Sequence, residues 1–389
     1  MRIAIDYTAA IRQGAGIGTY VRNLVGAMLQ QDSSDQYTLL TSGRSSPEHP
    51  FPEAENVRGK NIFIPDRYLN LLWYRWQVPL PATIFSGQID IYHGPDFVLP
   101  PLGKHVKKVV TIHDLAFLEH PEYAVPSLAE YLRKVVPAAI NSAHVVATVS
   151  AEVSRTLHKH FQTPLEKMVV VPNGVAPHFR RISDPIILGA TRNKFGLKHP
   201  LVLGVGTMEP RKNHLGLIKA FHQAQQKKGG PAMLAIAGGQ GWLYEETRQL
   251  VTELKLEKKV RFLGRVSDLE LITLYSMADI FAFPSFAEGF GIPLIEAMAC
   301  GAPVITANVS AMPEVVGDAA LLIDPHNNDE LAAAINKLLV NETLREELRA
   351  KGYQRAREYT WEASAQKMLR IYQQLYHEER NFMHEESIL

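Results

Sequence analysis

The chain has 389 residues, beyond the roughly 250–300 at which one hydrophobic core stops growing, so two domains are expected. Hydrophobic residues make up 46% and charged residues 21%, a globular balance that excludes a disordered chain. Lysine plus arginine (41) nearly cancels aspartate plus glutamate (40), which argues against nucleic acid as a partner and leaves any bound anion to local charge.

Cys300 is the single cysteine. It can close neither an internal disulfide nor a zinc site, so a reducing cytoplasm is the expected compartment. The opening MRIAIDYTAA lacks the apolar stretch of a signal peptide, and no run reaches the ~18 apolar residues of a membrane span.

Along the first half, short β-branched runs alternate with helix-length amphipathic segments, the pattern of a parallel α/β sheet. Strands are expected at Arg2–Thr8, Tyr37–Ser42, Asn61–Pro65, Asp90–Gly94, Lys108–His113, His144–Ser150 and Met168–Pro172. Helices are expected at Gly18–Gln31, Tyr68–Ile84, Ser127–Asn141 and Ala151–Phe161. Overlapping the second of these, Arg67 to Gln77 mixes tryptophan, tyrosine and arginine. That mixture suits peripheral contact with a membrane surface. Leu69, Leu72, Trp73 and Trp76 at helical spacing suit burial in the first domain's core as well, and both readings stand.

Pro172-Asn173-Gly174-Val175-Ala176-Pro177 interrupts the alternation and reads as a hinge. Beyond it, strands are expected at Leu201–Gly206, Ala232–Gly238, Val260–Gly264, Asp279–Pro284, Ala302–Thr306 and Ala320–Ile323. Ser267-Asp268-Leu269-Glu270 carries a capping-box signature, and Trp361 to about Tyr376 reads as a last amphipathic helix. The expected organisation is a first domain over 1–178 that also takes the C-terminal segment 360–389, and a second over 179–359. In such doubly wound sheets ligands lie outside the carboxyl ends of the strands.

Four strand-to-helix segments carry chemistry. Gly14-Ala15-Gly16-Ile17-Gly18 departs from the dinucleotide fingerprint, yet its glycines let backbone approach a diphosphate; a glycine-rich surface loop fits equally. His113-Asp114 ends a strand, where a histidine can meet a substrate hydroxyl or serve structure alone. In Gly206-Thr207-Met208-Glu209-Pro210-Arg211-Lys212-Asn213, adjacent Arg211 and Lys212 are expected to begin the next helix. Cations there oppose the helix dipole unless an anion lies between them, and two solvated surface charges are the alternative. In Glu288-Gly289-Phe290-Gly291-Ile292-Pro293-Leu294-Ile295-Glu296, two glycines precede a helix whose N-terminus favours an anion. Glu296 can then accept hydrogen bonds from ribose hydroxyls and Glu288 from sugar hydroxyls; a tight turn with two solvated glutamates is the plainer reading. The sequence has no Asp-x-Asp pair to hold a metal against a diphosphate, so no metal and no resident cofactor are expected.

Together these residues resemble the retaining glycosyltransferases of family 4, whose GT-B fold sets two Rossmann-like domains facing each other. The resemblance covers nearly the whole chain, and its most specific part is Glu288 to Glu296, preceded by Phe283-Pro284-Ser285. It implies that Glu296 binds the donor ribose and that Glu288, with the amides from Gly289 to Gly291, holds the transferred sugar. It further implies that Arg211 and Lys212 grip the donor diphosphate with Gly16 and Gly18 near it. His113 would lie beside the sugar and the base near Gly264-Arg265-Val266, and the C-terminal helix would cross back onto the first domain. The activity implied is metal-independent transfer of a sugar from a nucleotide-diphosphate donor to a glycan or lipid-linked acceptor. GDP-mannose leads among donors, followed by UDP-glucose and UDP-N-acetylglucosamine. A nucleotide-sugar 2-epimerase of the same fold would release nucleotide with no acceptor; a catalytically silent binding protein would bind donor without turnover.

Overall fold

The computed structural model describes residues 1–14, 16–43, 49–65, 68–69, 72–73, 78, 81–226, 232–241 and 244–386. The chain divides into two compact units. One comprises Met1–Pro121, Val125–Gly174 and the chain from Trp361 onward; the other comprises Glu122–Ala124 and Val175–Thr360.

The first unit is built on a parallel sheet of β1 (Arg2–Asp6), β2 (Gln36–Ser42), β3 (Val57–Ile62), β4 (Ile91–Gly94), β5 (Lys107–Ile112), β6 (Val145–Thr148) and β7 (Met168–Val170). Their spatial order is β3-β2-β1-β4-β5-β6-β7. The chain winds outward from β1 to β3, then crosses back to place β4 on the other side of β1, which makes the β1/β4 junction a switch point. The second unit repeats the plan with β8 (Leu201–Val205), β9 (Met233–Ala237), β10 (Val260–Gly264), β11 (Ile280–Phe283), β12 (Val304–Ala307) and β13 (Ala320–Ile323). Their order β10-β9-β8-β11-β12-β13 puts its switch point between β8 and β11. Central strands such as Ile3–Ile5 and Leu201–Leu203 are fully buried, as parallel strands covered on both faces must be.

Three elements differ from the bounds expected from sequence. The third strand is Val57–Ile62, not Asn61–Pro65. It pairs with β2 alone at the sheet edge, and its exposed Arg58-Gly59-Lys60 carry no apolar signal. The helix expected over Tyr68–Ile84 lies mostly outside the described residues, including all of Arg67–Gln77 except Tyr68, Leu69, Leu72 and Trp73. Near its expected end a short helix covers Thr83–Ser86. The C-terminal helix is longer than expected, Trp361–Glu386. Among the described residues no helix is long and apolar enough to cross a membrane.

That last helix belongs to the first unit. Trp361, Ala365, Met368, Tyr372 and Leu375 recur at helical spacing and are buried. Gln31 at the end of helix Ile17–Gln31 donates to the Glu362 carbonyl at 2.9 Å, and the Tyr372 hydroxyl meets His93 Nδ1 at 2.7 Å. His93 Nε2 lies 2.8 Å from the Thr111 hydroxyl, which is 3.2 Å from that of Tyr20. This buried chain of polar groups is satisfied at each step, the condition under which such groups rigidify a core.

Candidate active site

In the second unit the chain leaves β8 at Gly206, whose φ of +147° and closeness to the Lys212 side chain (3.2 Å from a built β-carbon) disfavour any larger residue. The loop after β9 closes directly onto this turn. A β-carbon on Gly238 would stand 2.0 Å from the Gly206 carbonyl oxygen, and one on Gly241 would stand 2.1 Å from that of Met208. Met208 N–H donates to the Gly239 carbonyl at 3.2 Å. Gly238, Gly239 and Gly241 thus shape the site, a role the sequence reading missed; its signal was Ala-Gly-Gly at the exit of a strand.

Arg211 and Lys212 do not begin the following helix. They occupy a 3-10 turn, Pro210–Lys212, and the helix His214–Gln225 starts after Asn213. Asn213 takes φ +55°, which asparagine tolerates better than most residues, and its Oδ1 accepts from Gly216 N–H at 3.2 Å as a cap. Its Nδ2 donates to the carbonyls of Pro284 (3.1 Å) and Pro325 (2.9 Å), pinning the loops after β11 and β13. Because the cations precede the helix, their side chains are free to turn toward that loop.

There they meet Glu288. Arg211 Nη1 donates to Glu288 Oε2 at 2.7 Å and to the Ala287 carbonyl at 2.8 Å, while Nη2 reaches Glu209 Oε1 at 3.0 Å. Lys212 Nζ donates to Glu288 Oε1 at 2.6 Å. Each oxygen of Glu288 therefore carries a cation. Burial opposes ionisation of this carboxyl, but the two cations prevail and hold its pKa at about 2. Burial, with help from Arg211, pushes the Lys212 ammonium down, and Glu288 opposes that. Two solvated surface charges do not describe this pair, and a solvated glutamate does not describe Glu288.

The chain then passes buried Gly289 and Phe290, the latter edge-on to Tyr359 at 5.2 Å. Gly291 caps the helix Ile292–Ala299 at φ +91°, with Pro293 in the first turn, Ile292 half-buried and Leu294 fully buried. Glu296 follows on that helix, 8% exposed. Loss of solvation raises its carboxyl to about 8, only partly relieved by the Tyr275 hydroxyl at 3.3 Å from Oε2. Burial thus favours the protonated form of this carboxyl. Past Gly264 (φ +69°), Arg265 is exposed beside Gly239 and Val266 is half-buried.

In the first unit Gly16, at φ +60°, caps the helix Ile17–Gln31. Gly18 stands in its first turn, where a β-carbon would lie 2.0 Å from the Gln13 carbonyl oxygen. Close packing of the loop on its own helix thus fixes glycine here. His113 is buried just beyond β5, edge-on to Tyr20 at 4.7 Å. Its Nε2 donates to the Pro95 carbonyl at 2.7 Å, so in the neutral ring Nδ1 keeps its lone pair as an acceptor. Burial pushes the imidazolium pKa down, against that hydrogen bond and Asp114. Tyr20 sits on the helix that Gly16 opens, which ties the glycine segment to His113 within this unit.

Residues 14–179 match the family described as Glycosyltransferase Family 4, and residues 190–355 match Glycosyl transferases group 1. The chain is 34% identical over 285 residues to the O-antigen chain mannosyltransferase B of Escherichia coli, covering 73% of this chain and 74% of that protein. It belongs to the group 1, family 4 glycosyltransferases. This glycosyltransferase is also 31% identical over 270 residues to the O-antigen chain mannosyltransferase RfbU of Salmonella typhimurium, covering 69% of this chain and 70% of that protein. Its fold is shared by the sucrose-phosphate synthase of Thermosynechococcus elongatus, with a TM-score of 0.77 at 22% identity over 97% of this chain and 99% of that one. The pair of parallel-sheet units is the GT-B fold.

Proposed function

We propose that this glycosyltransferase transfers mannose from GDP-mannose, with retention at the anomeric carbon, to a glycan or lipid-linked acceptor in polysaccharide assembly. UDP-glucose and UDP-N-acetylglucosamine are the next donors in order. Identity with two O-antigen mannosyltransferases supports the sugar and the pathway class. The observation that carries the chemistry is the pairing of Arg211 and Lys212 on Glu288 beside the β8/β11 switch point.

In the reaction the bond from the anomeric carbon to the donor's β-phosphate oxygen breaks, and a bond to the acceptor hydroxyl oxygen forms. Negative charge grows on the departing diphosphate, where Arg211, Lys212 and the N-terminus of helix Ile292–Ala299 stabilise it. The acceptor proton leaves to a phosphate oxygen of the departing group, which allows attack from the same face without a carboxylate nucleophile. Glu296 takes the ribose hydroxyls, the base lies near Arg265 and Val266, and Gly206 lets backbone approach the phosphates. His113 Nδ1 accepts from a sugar hydroxyl and orients the ring. Gly16 and Gly18 are read, from the family resemblance, as diphosphate-facing glycines.

A lipid-linked acceptor fits two exposed apolar side chains of that unit, Phe63 (87% exposed) after β3 and Ile84 (61%) on the short helix packed near it. These two side chains support peripheral contact with a membrane surface, which co-sedimentation with anionic vesicles tests.

Thermal-shift screening against GDP-, UDP-, ADP- and TDP-sugars tests the donor, because ligand at 100 times its Kd adds about 2.7 kcal/mol of stability. GDP-mannose should give the largest shift and then support transfer to a mannosylated acceptor. A larger shift with another base reassigns the donor; epimerised sugar released without acceptor replaces transfer by epimerisation.

A further inference from the structure

Arg22, on the helix Ile17–Gln31, turns its guanidinium back onto the chain that leads into Gly16. Its Nη1 donates to the carbonyls of Ala10 (2.6 Å) and Gln13 (2.7 Å). Its Nη2 lies 3.4 Å from the Gly14 carbonyl and 3.3 Å from the Thr19 hydroxyl. Ala10 belongs to the short helix Thr8–Arg12, whose last carbonyls have no partner within it. Gln13 and Gly14 lead into the glycine segment. One guanidinium therefore gathers the oxygens of three peptides on the approach to Gly16.

A guanidinium can do this because it presents five donors in a rigid fork, whereas an ammonium offers three from a single point. A trans peptide points its N–H opposite to its oxygen. With the Gln13 oxygen turned onto Arg22, the Gly14 N–H points away from the cation. The same Gln13 oxygen is what a side chain at Gly18 would strike, so Arg22 and Gly18 fix one carbonyl from two sides.

We propose that Arg22 is a positioning residue for the donor diphosphate. It draws the Gln13 carbonyl oxygen onto itself so that the Gly14 N–H, and not a lone pair, is left to meet phosphate. The inference rests on the reading of Gly16 and Gly18 as diphosphate-facing. Arg22 acts through these peptides and does not touch the donor. Freed from it, the carbonyls would turn out of this arrangement and present oxygen to an anion.

The test is nucleotide binding by Arg22→Lys and Arg22→Ala, with Arg211→Ala as reference, using GDP and GMP as probes (UDP and UMP if the screen selects uridine). Both Arg22 variants should bind GDP about tenfold more weakly and raise the donor KM in step, equivalent to about 1.4 kcal/mol. GMP affinity and kcat at saturating donor should stay near wild type. Full rescue by Arg22→Lys would show that charge alone matters and overturn the proposal. Equal weakening of GMP and GDP, or loss that tracks falling Tm, would make Arg22 a structural cap and also overturn it. If Arg211→Ala weakens GDP and the Arg22 variants do not, the Arg22 inference alone fails; if neither does, the donor-site reading fails with it.

Discussion

Lys212 sets its ammonium 2.6 Å from one oxygen of Glu288, while Arg211 holds the other oxygen at 2.7 Å. Glu288 thus answers both cations, and Glu209 answers Arg211 as well, at 3.0 Å.

These contacts also give the basic pair a structural share. Breaking a buried pair by removing one partner costs about 3–5 kcal/mol, because a charge is left uncompensated. Arg211 remains on Glu288 after Lys212→Met, so about 2–3 kcal/mol is expected from urea unfolding, with turnover abolished. Adding Glu288→Gln should cost less than the sum of the singles by about 0.5–3 kcal/mol while activity stays lost. Strict additivity would show that the two residues do not depend on each other.

Much of the scaffold under this candidate site was legible in the chain. Leu201–Val205 and Ile280–Phe283 are buried on both faces and read as strands because almost every residue in them is apolar. Ser267 and Glu270 form the reciprocal cap their spacing announced. Glu288 and Glu296 were picked out by the glycines before a helix. What spacing could not show is that residues 76 and 77 positions away would claim Glu288, since that pairing exists only once β8 and β11 lie side by side. The need for Gly238 and Gly241 was hidden for the same reason: the atoms that forbid a side chain belong to another loop. Asn213 ended the basic turn and capped the helix at once, which moved the cations out of the helix the sequence had given them.

Glu296 predicts a pH dependence. Its folded pKa of about 8 lies above the ordinary value of ~4.3, so the folded chain holds a proton that the unfolded chain has lost. Stability from this group is complete below the ordinary value and falls as pH rises toward 8. Glu296→Gln, which cannot ionise, should therefore raise Tm relative to wild type by a few degrees at pH 9 and by little at pH 5. Calorimetry of the ligand-free proteins checks this; an equal shift at both pH values would mean Glu296 is already ionised. Since ribose hydroxyls donate to the ionised carboxylate, donor affinity of the wild type should also rise between pH 6 and about 8 and then level off.

His113 should act as an acceptor and not as an acid. Its Nε2–H is committed to Pro95, and burial keeps the ring neutral. His113→Phe keeps the ring packing against Tyr20 but removes both the Nδ1 lone pair and the Nε2–H that Pro95 accepts. A fall of about tenfold to a hundredfold in kcat/KM is expected, the range of one substrate hydrogen bond with its unpaired partner left behind. Tyr20→Phe removes only the contact to Thr111 and should cost less than about threefold. Full activity in His113→Phe would leave the histidine as a packing residue.

Turnover should survive removal of divalent metal. The sequence lacks an Asp-x-Asp pair, and the charge that grows on the departing diphosphate is assigned to Arg211, Lys212 and the N-terminus of helix Ile292–Ala299. These groups are fixed before the donor arrives: Arg211 is bound to a backbone carbonyl as well as to two carboxylates, and Lys212 is 13% exposed. Preorganised donors of this kind are worth roughly 2.7–4 kcal/mol each in the transition state, comparable to what a metal would supply. Initial rates in excess EDTA should therefore match those in magnesium within about twofold, and Arg211→Ala should lose about 10²–10³ in kcat under both conditions. Activity lost in EDTA and restored by magnesium or manganese would move the leaving-group chemistry from the basic pair to a metal. Rescue of Arg211→Ala by metal alone would show that the two can substitute for each other.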